Sequence, residues 1–220
     1  MNIAASYLAL GHDWVGLGNI LFVLLLIIAV RSIRWRDLLD NHIQVNALVG
    51  LLFGTAAIWQ LGVQIHPGLK FHLIWANLFL LMFGWPVALI SLALLMLGTC
   101  LMTTRDISTL GINGILMLVI PMLFSEALLR FSQRYLPKNP FVFLLFNGFA
   151  GAAVGVFFMY FATLVLLALV NFSWPVLHQT DYVSSVSFMY SEAFSTGAIL
   201  AAFVVTNPEA VKGLVLSDDK

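Results

Sequence analysis

The chain has 220 residues, of which 61% are hydrophobic and 9% are charged, and its mean hydropathy is +1.00. A water-soluble globular domain carries about a quarter charged residues, so this composition excludes that class and indicates an integral membrane protein. The formal net charge is zero, and we therefore expect no nucleic-acid partner, which would call for a basic face. The single cysteine, Cys100, excludes an intrachain disulfide and a cysteine-cluster metal site.

Apolar stretches follow one another along the whole sequence. About 20 apolar residues are needed for a helix to cross about 30 Å of hydrocarbon. The sequence predicts spans at 15–30, 45–65, 69–84, 86–103, 110–130, 141–171 and 187–206. We therefore expect an all-α integral membrane protein with a bundle of about seven transmembrane helices. It forms a single transmembrane domain over residues 1–220, with a short cytoplasmic tail at 207–220.

Two local patterns refine this arrangement. The third span is short and is separated from the fourth by Gly84-Trp85-Pro86, which predicts a tight helical hairpin with Pro86 opening the second helix. The pairs Gly50/Gly54 and Gly151/Gly155 have the GxxxG spacing that lets helices approach closely. We expect these faces to pack within the bundle.

The basic residues occupy alternate connections between the spans. One set comprises Arg31, Arg34, Arg36, Arg130, Arg134, Lys138, Lys212 and Lys220, and the other only Lys70 and Arg105. The positive-inside rule assigns the richer set to the cytoplasm. We therefore predict an external amino terminus and a cytoplasmic carboxyl terminus in the plasma (inner) membrane. An arrangement of six or eight spans would split the basic groups between both faces.

Histidines are concentrated near the predicted outer face. His12 precedes the first span, and His66 and His72 bracket residues 67–71. Imidazole is a good ligand for nickel, cobalt, zinc and copper ions, so these residues are candidate ligands for a metal ion that arrives from outside. Scattered interfacial histidines are also common, and any single one is more often a bystander than a ligand. His42, on the cytoplasmic side, is interpreted as a bystander.

Four short strings occur in an order that resembles one family. They are Met1-Asn2-Ile3-Ala4-Ala5-Ser6-Tyr7-Leu8, Gly68-Leu69-Lys70-Phe71-His72-Leu73, Trp85-Pro86, and Thr109-Leu110-Gly111-Ile112-Asn113-Gly114-Ile115-Leu116-Met117. The chain resembles the substrate-binding membrane subunit of cobalt/nickel energy-coupling factor transporters. That family starts Met-His-Ile-Pro-Asp-Gly-Tyr-Leu, has a Gly-rich turn ending in Gly-His, and has a Leu-Gly-Ala-Asn-x-x-Asn-Met segment. The resemblance implies seven spans, a transmembrane coupling subunit and ATP-binding subunits as partners.

The resemblance also implies a ligand set for a transported metal ion. Its members are the Met1 amine, the backbone and side chain of residue 2, and His72. Residue 2 is Asn2, which has no imidazole, and removing one anchoring nitrogen should weaken a square-planar nitrogen site. Three alternatives follow: His12 or His66 supplies a replacement imidazole, the metal and its geometry differ, or the cargo is not a metal.

Three classes of function remain. The first is a membrane permease subunit that captures a divalent transition-metal ion of the nickel or cobalt class as cargo. It has no permanently bound cofactor and lacks the glycine-rich Lys-Ser/Thr pattern of an ATP site. The second is an intramembrane enzyme, for which Ser195 with His66 or His72 could form a dyad, although the Gly-x-Ser elbow and the His-Glu-x-x-His pattern are missing. The third is an assembly or scaffold protein.

Glu192 enters the seventh span from the outer side. An acidic group at this depth has two interpretations. It can orient an imidazole ligand from behind, or it can lie at the headgroup level as a charge near a helix N-terminus.

Overall fold

A computed structural model describes residues 2–3, 12–61, 63–66, 69–103, 107–169 and 174–214. Most of these residues are helical. The helices are α1 (His12–Ser32), α2 (Trp35–Asp40), α3 (His42–Gln60), α4 (Ala76–Phe83), α5 (Trp85–Thr103), α6 (Leu110–Gly114), α7 (Ile120–Tyr135), α8 (Pro140–Val142), α9 (Gly151–Leu169) and α10 (Trp174–Thr206). Two π-helical segments, π1 (Ile115–Val119) and π2 (Phe143–Ala150), join α6 to α7 and α8 to α9. Three short strands are β1 (Asn2–Ile3), β2 (Val63–His66) and β3 (Leu69–Phe71).

Six helices in the described part of the chain are long and apolar enough to cross a membrane. They contain Val15–Ser32, His42–Gln60, Trp85–Met102, Leu110–Tyr135, Pro140–Leu166 and Val186–Thr206. Large apolar side chains on α1, such as Ile20 and Ile28, are exposed, as expected for a surface that faces lipid. The predicted helical membrane bundle is therefore confirmed.

The predicted span at 69–84 differs from the structure. Its helix, α4, has eight residues and is about 12 Å long, too short to cross the hydrocarbon alone. Residues 69–71 form β3 instead, and Trp75 adopts a left-handed backbone with φ 57°, which a right-handed helix does not accommodate. The helix therefore begins only at Ala76. All eight of its residues are buried, so α4 lies inside the bundle, where it packs against α5, α7, α9 and α10.

The connections that carry the basic residues meet at one end of the bundle. Arg34, Pro86 and Lys212 line the same cleft, and the side-chain nitrogen of Gln133 donates to the carbonyl oxygen of Gly213 at 3.2 Å. We call this end, formed by residues 31–44, 83–87, 130–139 and 207–214, the basic end. The opposite end, marked by the β2–β3 hairpin, is the hairpin end. For the basic residues in the described part of the chain, the predicted separation of charge thus corresponds to a separation in space.

The segment after α10 folds back onto the bundle. The backbone N–H of Lys212 donates to the carbonyl oxygen of Met82 at 3.0 Å, and that of Gly213 donates to Leu81 at 2.8 Å. These bonds satisfy carbonyl groups in the last turn of α4, which have no partner within their own helix. Over residues 207–214 the predicted tail is therefore part of the packed structure, with Val211 buried. Residues 215–220 lie outside the described part.

The two GxxxG pairs behave differently. A Cβ atom at Gly151 would lie 3.4 Å from the side chain of Asn77, and one at Gly155 would lie 3.1 Å from the hydroxyl of Ser125. These glycines permit the close approach that their spacing predicts. Gly50 is exposed, and nothing lies within 4 Å of its Cβ direction, so its face is not packed within the described bundle.

Candidate metal centre

The amino terminus and the segment before His72 belong to one small sheet. Strand β3 is central and pairs antiparallel with β1 and with β2. Asn2 lies opposite Lys70 and Ile3 lies opposite Leu69, so β1 runs with its amino-terminal end toward His72. His72 is two positions after Lys70, about 7 Å at the rise of a β-strand. The backbone thus brings residue 2 close to the predicted histidine ligand.

The other predicted ligands are placed less closely. His66 pairs with Leu69 at the far end of the hairpin. Leu69 is three positions before His72, about 10 Å at the rise of a β-strand. His12 is the first residue of α1 and is not part of the sheet. The Met1 amine lies outside the described residues. Backbone placement therefore brings Asn2 and His72 together and leaves the roles of His12 and His66 as predictions.

His72 is held against an aromatic side chain. It is half-buried, and its ring centroid lies 4.8 Å from that of the buried Trp59 at an interplanar angle of 43°. Its Nδ1 atom lies 3.3 Å from the carbonyl oxygen of Leu73, which allows a hydrogen bond in the tautomer with the proton on Nδ1. In that tautomer the lone pair that binds a metal is on Nε2.

Glu192 fixes the backbone that follows His72. The side chain is 2% exposed, and its two carboxyl oxygens accept hydrogen bonds from the backbone N–H groups of Ile74, at 2.9 Å, and of Trp75. Glu192 is therefore not an exposed helix charge. The contact joins α10 to the start of α4. Local sequence pattern cannot predict it, because the partners are more than one hundred residues apart.

Trp75 and Ser195 complete this contact between α10 and α4. The indole N–H of Trp75 donates to the hydroxyl oxygen of Ser195 at 3.0 Å, and that hydroxyl donates to the carbonyl oxygen of Glu192 at 3.3 Å. Ser195 was a candidate nucleophile in the sequence. In the structure its hydroxyl bonds to Trp75, which precedes α4, and to Glu192 in its own helix.

Among the described residues, no group of three or more histidine, cysteine, aspartate or glutamate side chains could hold a metal ion. Amine and backbone nitrogens at an amino terminus are further possible metal donors, and β1 runs with its amino-terminal end toward His72.

Comparison with known proteins identifies a family and two solved structures with a similar fold. The profile of the family described as "CbiM: Cobalt uptake substrate-specific transmembrane region" matches residues 3–210. A crystal structure described as a transition metal transporter is 22% identical, with 94% of each chain covered and a TM-score of 0.68. A structure described as a truncated transition metal transporter is 21% identical, covering 95% of this chain and 99% of the other, with a TM-score of 0.65. No curated protein sequence matches.

The two solved structures show that the chain shares their fold over nearly its whole length. The family profile covers nearly the whole chain, including α1 to α10 and the hairpin. The chain therefore belongs to the CbiM family of cobalt-uptake transmembrane regions and is a multi-pass membrane component of a metal-uptake transporter.

Proposed function

We propose that this chain is the substrate-capture subunit of an energy-coupling factor transporter that imports a divalent ion of the nickel or cobalt class. The ion binds at the hairpin end and is released at the basic end. The observation that carries the proposal is the pairing of β1 with β3, which directs the start of the chain toward His72.

The ligands we propose are the Met1 amine, the backbone nitrogen of Asn2 and Nε2 of His72. Amine, amide and imidazole nitrogens suit Ni(II) and related ions. A metal ion that displaces the amide proton of residue 2 needs anchoring nitrogens on both sides, which the terminal amine and His72 supply. His12 or His66 fills the place of the imidazole that Asn2 lacks.

The basic end faces the cytoplasm in this proposal. Seven arginines and lysines in the described residues lie there: Arg31, Arg34, Arg36, Arg130, Arg134, Lys138 and Lys212. The positive-inside rule then places the hairpin end outside, together with the metal site. An ion that arrives from outside meets the site without first crossing the bundle.

Energy comes from partner proteins in this proposal. The sequence lacks the glycine-rich Lys-Ser/Thr pattern that binds ATP phosphates. We therefore propose a transmembrane coupling subunit and ATP-binding subunits as partners. The membrane chain supplies specificity, and the ATP-binding subunits supply the free energy for release.

Elemental analysis of the purified protein tests the proposal. The parent should carry close to one nickel or cobalt ion per chain after equilibration at micromolar free ion. His72→Ala should lower affinity by at least about tenfold, or about 1.4 kcal/mol. His42→Ala is the matched control, because His42 begins α3 at the basic end. A parent that binds neither ion, or a His72→Ala variant that binds like the parent, contradicts the proposal.

A further inference from the structure

The segment that carries His72 has no regular secondary structure of its own. Residues 72–75 connect β3 to α4 and belong to neither. A ligand in such a segment is held in place only by what packs against it, because no helical or sheet ladder fixes its backbone. The geometry of His72 therefore depends on contacts made by its neighbours in the chain.

The conformation at the end of this segment is unusual. Trp75 adopts a left-handed backbone, with φ 57°, and is the residue that precedes α4. For a residue with a bulky side chain this conformation is strained, and it persists only where surrounding contacts enforce it. The left-handed residue turns the chain from the extended direction of β3 into the direction of α4.

Contacts from α10 enforce that turn. The carboxyl group of Glu192 accepts from the backbone N–H groups of Ile74 and Trp75, and Ser195 accepts from the indole of Trp75. Glu192 is 2% exposed and Trp75 is 5% exposed, so water does not compete for these bonds. Two adjacent turns of α10 thus hold both the backbone and the side chain at the turn.

We propose that Glu192 and Ser195 are positioning residues for the metal ligand His72. Glu192 acts through the backbone of Ile74 and Trp75, and Ser195 acts through the indole of Trp75. This inference rests on the proposed function of His72. Metal–ligand distances tolerate deviations of only about 0.2 Å, and loss of a group that orients a ligand typically lowers metal affinity 10–100-fold.

Two variants, each with a matched control, test this role. Glu192→Gln keeps one acceptor oxygen but sets an amide N–H₂ against the second backbone N–H. Its control is Glu126→Gln. This variant makes the same chemical change but removes an ion pair with Arg130, at the opposite end of the bundle from His72. Ser195→Ala removes the partner of the indole. Its control is Ser191→Ala, whose hydroxyl donates only within its own helix, to Ser187 at 2.8 Å.

Three measurements on the purified full chain separate positioning from stability. They are the affinity for Ni²⁺, the visible absorption spectrum of the Co²⁺-loaded protein, and the unfolding temperature without metal. Glu192→Gln should weaken Ni²⁺ binding about 10–100-fold, Ser195→Ala should weaken it less, and both should shift the cobalt spectrum. The controls should match the parent.

The outcomes distinguish this inference from the proposed function. If the parent binds no metal, the proposed function fails. If the parent binds and His72→Ala does not, but Glu192→Gln keeps the parent's affinity and cobalt spectrum, the positioning role is wrong and the proposed function stands. A Glu192→Gln protein with a lowered unfolding temperature and an unchanged cobalt spectrum also overturns the positioning role. Should Glu192→Gln fail to fold, the affinity and spectrum of Ser195→Ala decide, and parent values for both would refute the inference.

Discussion

Asn77 on α4 and Asn147 in π2 are joined by a hydrogen bond in which the side-chain nitrogen of Asn77 donates to the backbone carbonyl oxygen of Asn147 at 2.9 Å. The same nitrogen lies 3.2 Å from the carbonyl oxygen of Gly148. A π-helical turn disturbs the regular hydrogen-bond ladder of a helix, and a side chain that inserts there satisfies the groups it leaves open. The side chain of Asn147 in turn donates to Ser132 at 2.9 Å. Asn77 thus links α4 to π2.

Replacement of Asn77 should destabilise the bundle. Asn77→Leu keeps the approximate volume but leaves two buried carbonyl groups without their donor, and the expected loss is about 1–3 kcal/mol in free energy of unfolding. Thermal unfolding in detergent measures the change. Asn46→Leu, on the exposed face of α3, is the control and should unfold at the parent temperature. Equal unfolding temperatures for both variants would show that the contact contributes no stability.

The close contact between α1 and α6 depends on glycine. A Cβ atom at Gly111 would collide with the backbone and side chain of Asn19, whose side-chain oxygen accepts from the Gly111 N–H at 2.7 Å. Gly111→Ala should therefore separate the two helices and cost about 1–3 kcal/mol. Gly16→Ala on α1 is the control, because a Cβ atom there meets nothing within 4 Å. A Gly111→Ala protein as stable as Gly16→Ala would contradict the packing described.

The sidedness of the two ends can be measured with single cysteines in a Cys100→Ala background. Ile107→Cys lies on the chain between α5 and α6, at a position that is 56% exposed, and Glu209→Cys lies at the exposed basic end. In intact cells an impermeant thiol reagent should label the first and spare the second, because the charge distribution places the basic end in the cytoplasm. Permeabilised cells, in which both sites should react, provide the control. The reverse labelling pattern in intact cells would invert the proposed orientation.

The role of the amino terminus is tested by blocking it. A short extension before Met1 converts the amine into an amide, which lacks the lone pair needed for coordination. Metal binding should be lost, whereas the same sequence added at the carboxyl terminus should leave it unchanged. Proteolytic removal of the extension back to Met1 should restore binding. Full affinity with the extension in place would show that the terminal amine is not a ligand.

Two further variants test which histidine replaces the imidazole that residue 2 lacks. If His12 replaces it, His12→Ala should weaken Ni²⁺ binding as much as His72→Ala, by at least about tenfold, while His66→Ala has a smaller effect. The opposite ranking would assign the ligand to His66, although its strand partner Leu69 is about 10 Å along the chain from His72. If neither variant changes affinity, the site lacks a second imidazole, and its geometry differs from the one implied by the resemblance.

Six of the spans could be predicted from hydropathy because a long apolar helix is required wherever the chain crosses lipid on its own. The span at 69–84 could not be predicted correctly, because α4 is enclosed by protein and need not satisfy that length. Its start is set by the left-handed Trp75 and by Glu192, a residue distant in sequence. The local sequence identified His72 as a candidate ligand through its resemblance to the Gly-rich turn of the family. It could not identify Trp75 or Ser195 as supports, because their contact exists only after α4 and α10 have packed together.

The backbone bonds from Lys212 and Gly213 to Met82 and Leu81 also constrain how this protein is made. The carbonyl groups of α4 emerge from the ribosome 130 residues before their partners, counting from Met82 to Lys212. The last turn of α4 therefore lacks these two donors until residues 212 and 213 have been synthesised and have packed against it. Docking of the segment after α10 is thus a late step in folding, and it closes the basic end of the bundle.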